Sequence, residues 1–231
     1  MSNYAISDLH GEYLLYSKVC EFLKPEDRVY FLGDATDRGG RSFRTMQAIL
    51  NNPQWVYLCG NHEDMLADAI YEYYEGDCTE CYMDLASNGG SSTFESWVQN
   101  GASFEWYNII KKLPTYKAYY NKNGILVLLS HAGFTPEWED GNILIPSSRS
   151  QLLWDRKHLD DNNWDEEHLS NVICVHGHTP QSFQIPKDQK WEEGAYWYCN
   201  NHKINIDCGA HWAKYTVLLD LDTFDEYVVP I

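Results

Sequence analysis

The feature that most constrains this chain is a recurring pattern: a short apolar run of strand character stops, and glycine, aspartate, asparagine or histidine follows at once. Residues 4–7 run into Asp8-Leu9-His10, residues 28–32 into Gly33-Asp34, and residues 55–59 into Gly60-Asn61-His62-Glu63. Farther on, residues 125–129 run into Ser130-His131-Ala132-Gly133, and residues 172–175 into His176-Gly177-His178-Thr179. In residues 12–23, Leu14, Leu15, Val19, Phe22 and Leu23 recur at helical spacing, and residues 42–50 and 63–75 read as further helices. The resulting β-α-β-α-β order predicts a layered α/β fold. Ligands of such sheets gather beyond the carboxyl ends of the strands. Separate segments would therefore bring Asp, His and Asn side chains to one edge.

Residues 76–115 read as a helical insertion whose aromatics, among them Phe94, Trp97, Phe104, Trp106 and Tyr107, belong mostly to a core. Residues 204–207 and 215–221 read as strands paired with each other. No repeat or low-complexity linker divides the 231 residues, so one domain over 1–231 is expected. The balance of 17 basic and 34 acidic residues, net −17, argues against nucleic acid or an anionic membrane as partner, since both need a basic footprint. No apolar run approaches the length of a bilayer span and no signal-like segment opens the sequence, so a reducing cytoplasm is the expected compartment. Cys78 and Cys81 form a CxxC pair, but no second pair follows to complete a thiolate site, and incidental thiols are the simpler reading. The oligomeric state is not fixed by the sequence.

Taken one at a time, the strand-end residues have ordinary explanations. A lone histidine is usually a hydrogen-bonded structural residue, Asp34 could cap a turn, and Gly33, Gly39 and Gly60 could serve tight turns. The ordered set is harder to explain piecemeal. It offers carboxylates, imidazoles and an amide without thiolate, a mixture suited to Mn²⁺, Fe or Zn²⁺. His176 is two residues from His178, and in an extended segment neighbours at that spacing face the same side, so His176 could also approach.

Asp8-x-His10, Gly33-Asp34-x-x-Asp37-Arg38-Gly39, Gly60-Asn61-His62-Glu63, Ser130-His131-Ala132-Gly133 and Gly177-His178-Thr179, in that order, resemble the signature of the serine/threonine-type phosphoprotein phosphatases within the metallophosphoesterase superfamily. The likeness is to the compact bacterial and phage members. It covers residues 8 to about 180 and extends weakly to Asp207-Cys208-Gly209-Ala210. The resemblance implies an α/β/β/α sandwich, two mixed sheets flanked by helices, with two divalent metal ions, most simply manganese. On that likeness Asp8 and His10 would hold the first metal, Asp34 would bridge both, and Asn61, His131 and His178 would complete the second. His62 would be the general acid, oriented by Asp37, and Arg38 and Arg156 would bind phosphate oxygens. Physical chemistry agrees with those roles. Two metals about 3.5–4 Å apart clamp the attacking and leaving oxygens, and bridging water loses a proton readily. Guanidinium forks match phosphate oxygens.

The substrate expected is a phosphorylated protein, at phosphoserine or phosphothreonine, or a small phosphoester. Symmetrical hydrolysis of dinucleoside tetraphosphates is the alternative, with a base pocket drawn from the aromatics of residues 76–115. A non-catalytic binding module on the same fold is the reading of another class. Two departures matter: the chain is shorter than the eukaryotic catalytic domains, and Cys208 places a thiol, read mainly as packing, at a strand end near the expected site.

Overall fold

The computed structural model describes residues 1–76, 79–160, 162–185 and 193–231. The Cys78–Cys81 pair lies in part outside the described residues, through Cys78.

The strands are β1 (Asn3–Ile6), β2 (Arg28–Phe31), β3 (Trp55–Tyr57), β4 (Tyr116–Tyr120), β5 (Leu126–Ser130), β6 (Glu137–Glu139), β7 (Asn142–Leu144), β8 (Val172–His176), β9 (Tyr196–Tyr198), β10 (Lys203–Asn205), β11 (Tyr215–Asp220) and β12 (Glu226–Pro230). The helices are α1 (Tyr13–Phe22), α2 (Ser42–Leu50), α3 (Asn61–Glu75), α4 (Glu80–Ser87), α5 (Ser91–Gln99), α6 (Glu105–Lys111), α7 (Arg149–Trp154), α8 (Glu166–Leu169) and α9 (Ala210–Ala213). One five-stranded sheet has the order β12-β11-β1-β2-β3, the other β4-β5-β8-β10-β9, and β6 and β7 form a separate hairpin. In the first sheet β1, β2 and β3 run parallel, with β11 antiparallel to β1. In the second, β5, β8 and β10 run parallel, with antiparallel edges at β4 and β9.

Strand alternation makes the layers. Tyr4 and Ile6 of β1 and Val29 and Phe31 of β2 face a core shared with Leu15 and Val19 of α1, Met46 of α2 and Leu66 of α3. Their neighbours Ala5, Tyr30 and Leu32 face the other way, onto Val127, Leu129, Val175 and Ile204 of the second sheet. The far face of that sheet, through Leu128, Val172 and Cys174, is covered by Leu152 of α7 and Leu169 of α8. This is the expected α/β/β/α sandwich of two mixed sheets flanked by helices. Each fully buried Leu, Ile or Phe in these layers contributes about 1.5–3 kcal/mol.

Between α3 and β4, helices α4, α5 and α6 close over the first core, where Phe94 and Trp97 are buried and Phe104, Trp106 and Tyr107 partly so. One expectation is corrected. The strands β10 and β11 do not pair with each other: β10 lies in the second sheet between β8 and β9, and β11 lies in the first between β1 and β12. The chain crosses from one sheet to the other through the turn at Asp207-Cys208-Gly209 and α9, a switch that apolar pattern alone does not encode. No helix among the described residues is long and apolar enough to cross a membrane.

Candidate active site

The ends of β1, β2 and β3 deliver the first group of side chains. Backbone bonds from Asp8 N to Gly33 O (3.0 Å) and from His10 N to Asp34 O (2.9 Å) lock the two following loops side by side. The buried carboxylate of Glu63 ties in the third. It accepts from Gly60 N (2.9 Å), Asp34 N (2.8 Å), Ala35 N (2.8 Å) and Thr36 N (3.3 Å). Helix α3 begins at Asn61, two residues before the sequence pattern suggests, so Asn61 and His62 stand on its first turn and His62 N donates to Asp34 Oδ1 (3.1 Å). The approach is close enough to require glycine: a Cβ on Gly60 would lie 2.2 Å from Asp34 Oδ1. Asp8, His10, Asp34, Asp37 and Arg38 all adopt positive φ (42–70°), a region that non-glycine residues seldom occupy away from functional sites.

His131 follows β5, and His178 follows β8 with φ 69°. Gly177 N donates to His131 O (2.8 Å), which joins these two loops. His178 N donates to Asp8 Oδ2 (3.0 Å), and the same oxygen is bonded by the Ser7 hydroxyl, so the loops of the two sheets meet edge to edge.

The structure gathers all the expected ligand residues. His10 Nε2 lies 3.6 Å from Asp34 Oδ2 and 4.0 Å from Asp8 Oδ1. His131 Nε2 lies 2.8 Å from Asn61 Oδ1 and 3.4 Å from Asp34 Oδ1, and His178 Nδ1 lies 2.9 Å from Asn61 Oδ1 and 3.2 Å from His131 Nε2. Two clusters, His10-Asp34-His62 and Asp34-His131-His178, each bring their ligand atoms within 4.8 Å of one another, and Asp34 is common to both.

Proton accounting shows what would satisfy these atoms. His10 Nδ1 lies 2.8 Å from Thr36 O and His131 Nδ1 lies 2.8 Å from Leu32 O. A carbonyl only accepts, so each Nδ1 carries the proton and each Nε2 presents a lone pair. His131 Nε2 therefore faces the oxygens of Asn61 and Asp34, acceptor against acceptor. Asp8 Oδ1 is buried with no hydrogen-bond partner among the described residues. A divalent cation satisfies such a set, and the residues fit it. Burial lowers His10 well below its ordinary value and His131 to about 3, so both stay neutral. Burial also lowers His178, with the neighbouring His131 adding to it. Burial, then the adjacent carboxylates, raises Asp8 and Asp34 well above the usual range. A nearby dication opposes that shift.

His62 also falls in the first cluster, but its Nδ1 is already engaged by Asp37 Oδ2 at 2.6 Å. Its Nε2 accepts from Arg38 Nη2 (3.0 Å), while Arg38 Nη1 lies 2.6 Å from His10 Nε2. Arg156 donates from Nε to Thr179 Oγ1 (3.1 Å), beside His178. Arg38, Arg156 and His178 line a cavity of about 830 Å³, as do Phe183, Tyr196, Tyr198 and Trp212. These aromatics come from residues 183–212, so the expectation that the helical segment would furnish the pocket beside the site is corrected: its large rings pack in the core. His176 does not join the cluster. Its Nε2 bonds the Tyr198 hydroxyl (2.7 Å), because β8 turns its ring toward β9.

Two contributors escaped the sequence. Glu63 was visible only as part of a motif, and its four backbone bonds depend on a long-range approach. Asp207, buried and raised by burial to about 6, adds a carboxylate beside Asp8 that only the sheet-to-sheet turn brings there. Cys208 is buried and its thiol is pushed up by burial, as its packing reading implies.

Comparison with known proteins agrees with this arrangement. The asymmetrical bis(5′-nucleosyl)-tetraphosphatase PrpE of Bacillus thuringiensis (strain Al Hakam) is 23% identical over 228 residues, covering 89% of this chain and 84% of the relative. A solved structure described as a proposed diadenosine tetraphosphatase has the same fold, with TM-score 0.65 at 13% identity over 99% of this chain and 92% of its own. A protein serine/threonine phosphatase from Saccharomyces cerevisiae superposes with TM-score 0.62 at 13% identity over 100% of this chain and 80% of its own. The calcineurin-like phosphoesterase pattern matches residues 1–215. The chain belongs to the calcineurin-like phosphoesterase family and is a metal-dependent phosphoester hydrolase.

Proposed function

We infer that the protein hydrolyses a nucleoside polyphosphate of the dinucleoside tetraphosphate kind. The observation that carries this reading is the cavity that Arg38, Arg156 and His178 line together with Phe183, Tyr196 and Trp212. Guanidinium groups suit a phosphate chain, and flat aromatic faces suit a nucleobase. The names of the Bacillus relatives support the same substrate class, and they favour off-centre rather than symmetrical cleavage.

Asp8 and His10 would hold one metal, Asn61, His131 and His178 the other, and Asp34 both. When bound, such a pair supplies Lewis acidity at the phosphoryl oxygens and a nucleophile from water at neutral pH. Arg38 and Arg156 orient the phosphate and offset its charge. His62, held by Asp37, gives a proton to the departing oxygen. That proton must sit on Nε2, the atom Arg38 now contacts, so Arg38 moves toward the phosphate as substrate enters.

The His62–Asp37 pair favours a second reading, a phosphoserine or phosphothreonine substrate. An alkoxide needs a proton to leave, whereas a nucleotide phosphate is a stable anion that leaves without one. Turnover of diadenosine tetraphosphate and of a phosphopeptide, by wild type and Trp212→Ala, separates the two. Base stacking is worth about 1–3 kcal/mol, so Trp212→Ala is expected to raise KM for the dinucleotide by ~5- to 100-fold and spare the phosphopeptide. Products should be nucleoside triphosphate and monophosphate. A clear wild-type preference for the phosphopeptide would reject the nucleotide reading.

A further inference from the structure

Behind the loops of His131 and His178 lies a buried polar chain with no part in the chemistry described above. His158 Nε2 donates to Ala132 O at 2.6 Å, next to His131. The Tyr198 hydroxyl lies 3.1 Å from His158 Nδ1 and 2.7 Å from His176 Nε2. His176 is joined to His178 by Gly177 alone. The two imidazoles pack edge to face at 4.8 Å, and Gly133 leaves them room, since a Cβ there would lie 2.6 Å from His158 Cε1. Lys203, fully buried, fixes the segment of His158 by donating to its carbonyl at 2.9 Å.

The proton order follows from the acceptors. His158 gives its N–H to a carbonyl, and His176 Nδ1 gives its own to Gly177 O at 3.0 Å, so His158 Nδ1 and His176 Nε2 both face the one Tyr198 O–H as acceptors. One hydroxyl proton is thus shared between the two loops, nearer to His176 than to His158.

We propose that Tyr198 is a positioning residue for metal binding: through His158 and His176 its hydroxyl sets the spacing of the loops that present His131 and His178. The proposal rests on the reading of those two histidines as ligands of one metal. It also gives the cavity a link to the metal site, because Tyr198 lines the cavity wall. Asp8 and His10 stand on the other sheet, and the His178 loop meets Asp8 through the single backbone bond from His178 N to Asp8 Oδ2.

Titration of the full-length protein with Mn²⁺, read by the free-ion electron paramagnetic resonance signal, tests it. Residues that hold a metal-ligating histidine typically cost about 10–100-fold in metal affinity when removed. Tyr198→Phe keeps the ring and should weaken one of two Mn²⁺ ions by at least ~10-fold while leaving the other as in wild type. His158→Leu breaks the same bridge without touching the cavity wall and should reproduce that selective loss, which covers the case in which one variant folds poorly. Wild-type affinity for both ions in the two variants overturns the proposal. So does an equal weakening of both ions together with a lower melting temperature, the mark of general destabilisation. His131→Ala is the reference: if it still binds two ions with wild-type affinity, the ligand reading fails, whereas its losing one ion beside an unaffected Tyr198→Phe rejects the positioning role alone.

Discussion

The two sheets build their halves of the site by different means. The loops after β1 and β2 place Asp8, His10, Asp34, Asp37 and Arg38 in the left-handed region, and one carboxylate, Glu63, holds the second loop by its backbone. The loops after β5 and β8 contribute imidazoles, with His178 the one non-glycine residue there at positive φ, and they are fixed by backbone and side-chain hydrogen bonds around Ala132 and Gly177. The first half concentrates charge and backbone strain. The second supplies uncharged nitrogen donors at little conformational cost. A dinuclear centre assembled this way should fail differently according to which half is damaged.

The largest effect is expected where the halves meet. Asp34 is shared by both clusters, so Asp34→Asn should release both metals and lower turnover beyond the ~10⁴-fold upper end of a lost general acid. Metal analysis after dialysis checks it, and full metal content with normal turnover would show that the halves are independent. Next comes His62, which has no counterpart on the second sheet. His62→Ala should slow hydrolysis of an alkyl phosphate by about 10²–10⁴-fold and a nitrophenyl phosphate far less, since nitrophenolate leaves without a proton. Equal losses on both substrates would move His62 from acid to ligand or scaffold. The smallest effect tests the clamp. Glu63→Gln should lower metal affinity by about 10–100-fold, as for other groups that hold ligand loops. It should also cost about 1–3 kcal/mol in stability from backbone donors left poorly paired. A thermal melt of the metal-free protein measures the second quantity, and an unchanged melting temperature would mean that Glu63 is not what holds the first half.

The two halves were not equally legible in the sequence. Asp8, His10, Asp34, Asn61 and His62 stand directly after apolar runs, so period and punctuation reveal them. His131 and His178 follow the same rule, and the layered fold was implied by the β-α-β-α-β order. What escaped depends on contacts between distant segments. Tyr198 reaches His158 across 40 residues, and Glu63 reaches Asp34 across 29. The exchange of β10 and β11 between sheets has no local signature, since neither run encodes which strand it pairs with. The cavity aromatics Phe183, Tyr196 and Trp212 are spaced irregularly, and they come from three separate places, the turn after β8, strand β9 and helix α9.

The left-handed residues of the first half have a consequence for anyone seeking a hardier protein. Each non-glycine side chain held in that region costs roughly 1–2 kcal/mol, so substitution by glycine at Asp37 or Arg38 would relieve it. A library of variants sorted only by heat resistance would therefore drift toward glycine at the positions on which turnover is proposed to depend. The hardiest survivors would be folded, long-lived and inert, and thermal screening of this chain has to be coupled to an assay of phosphate release.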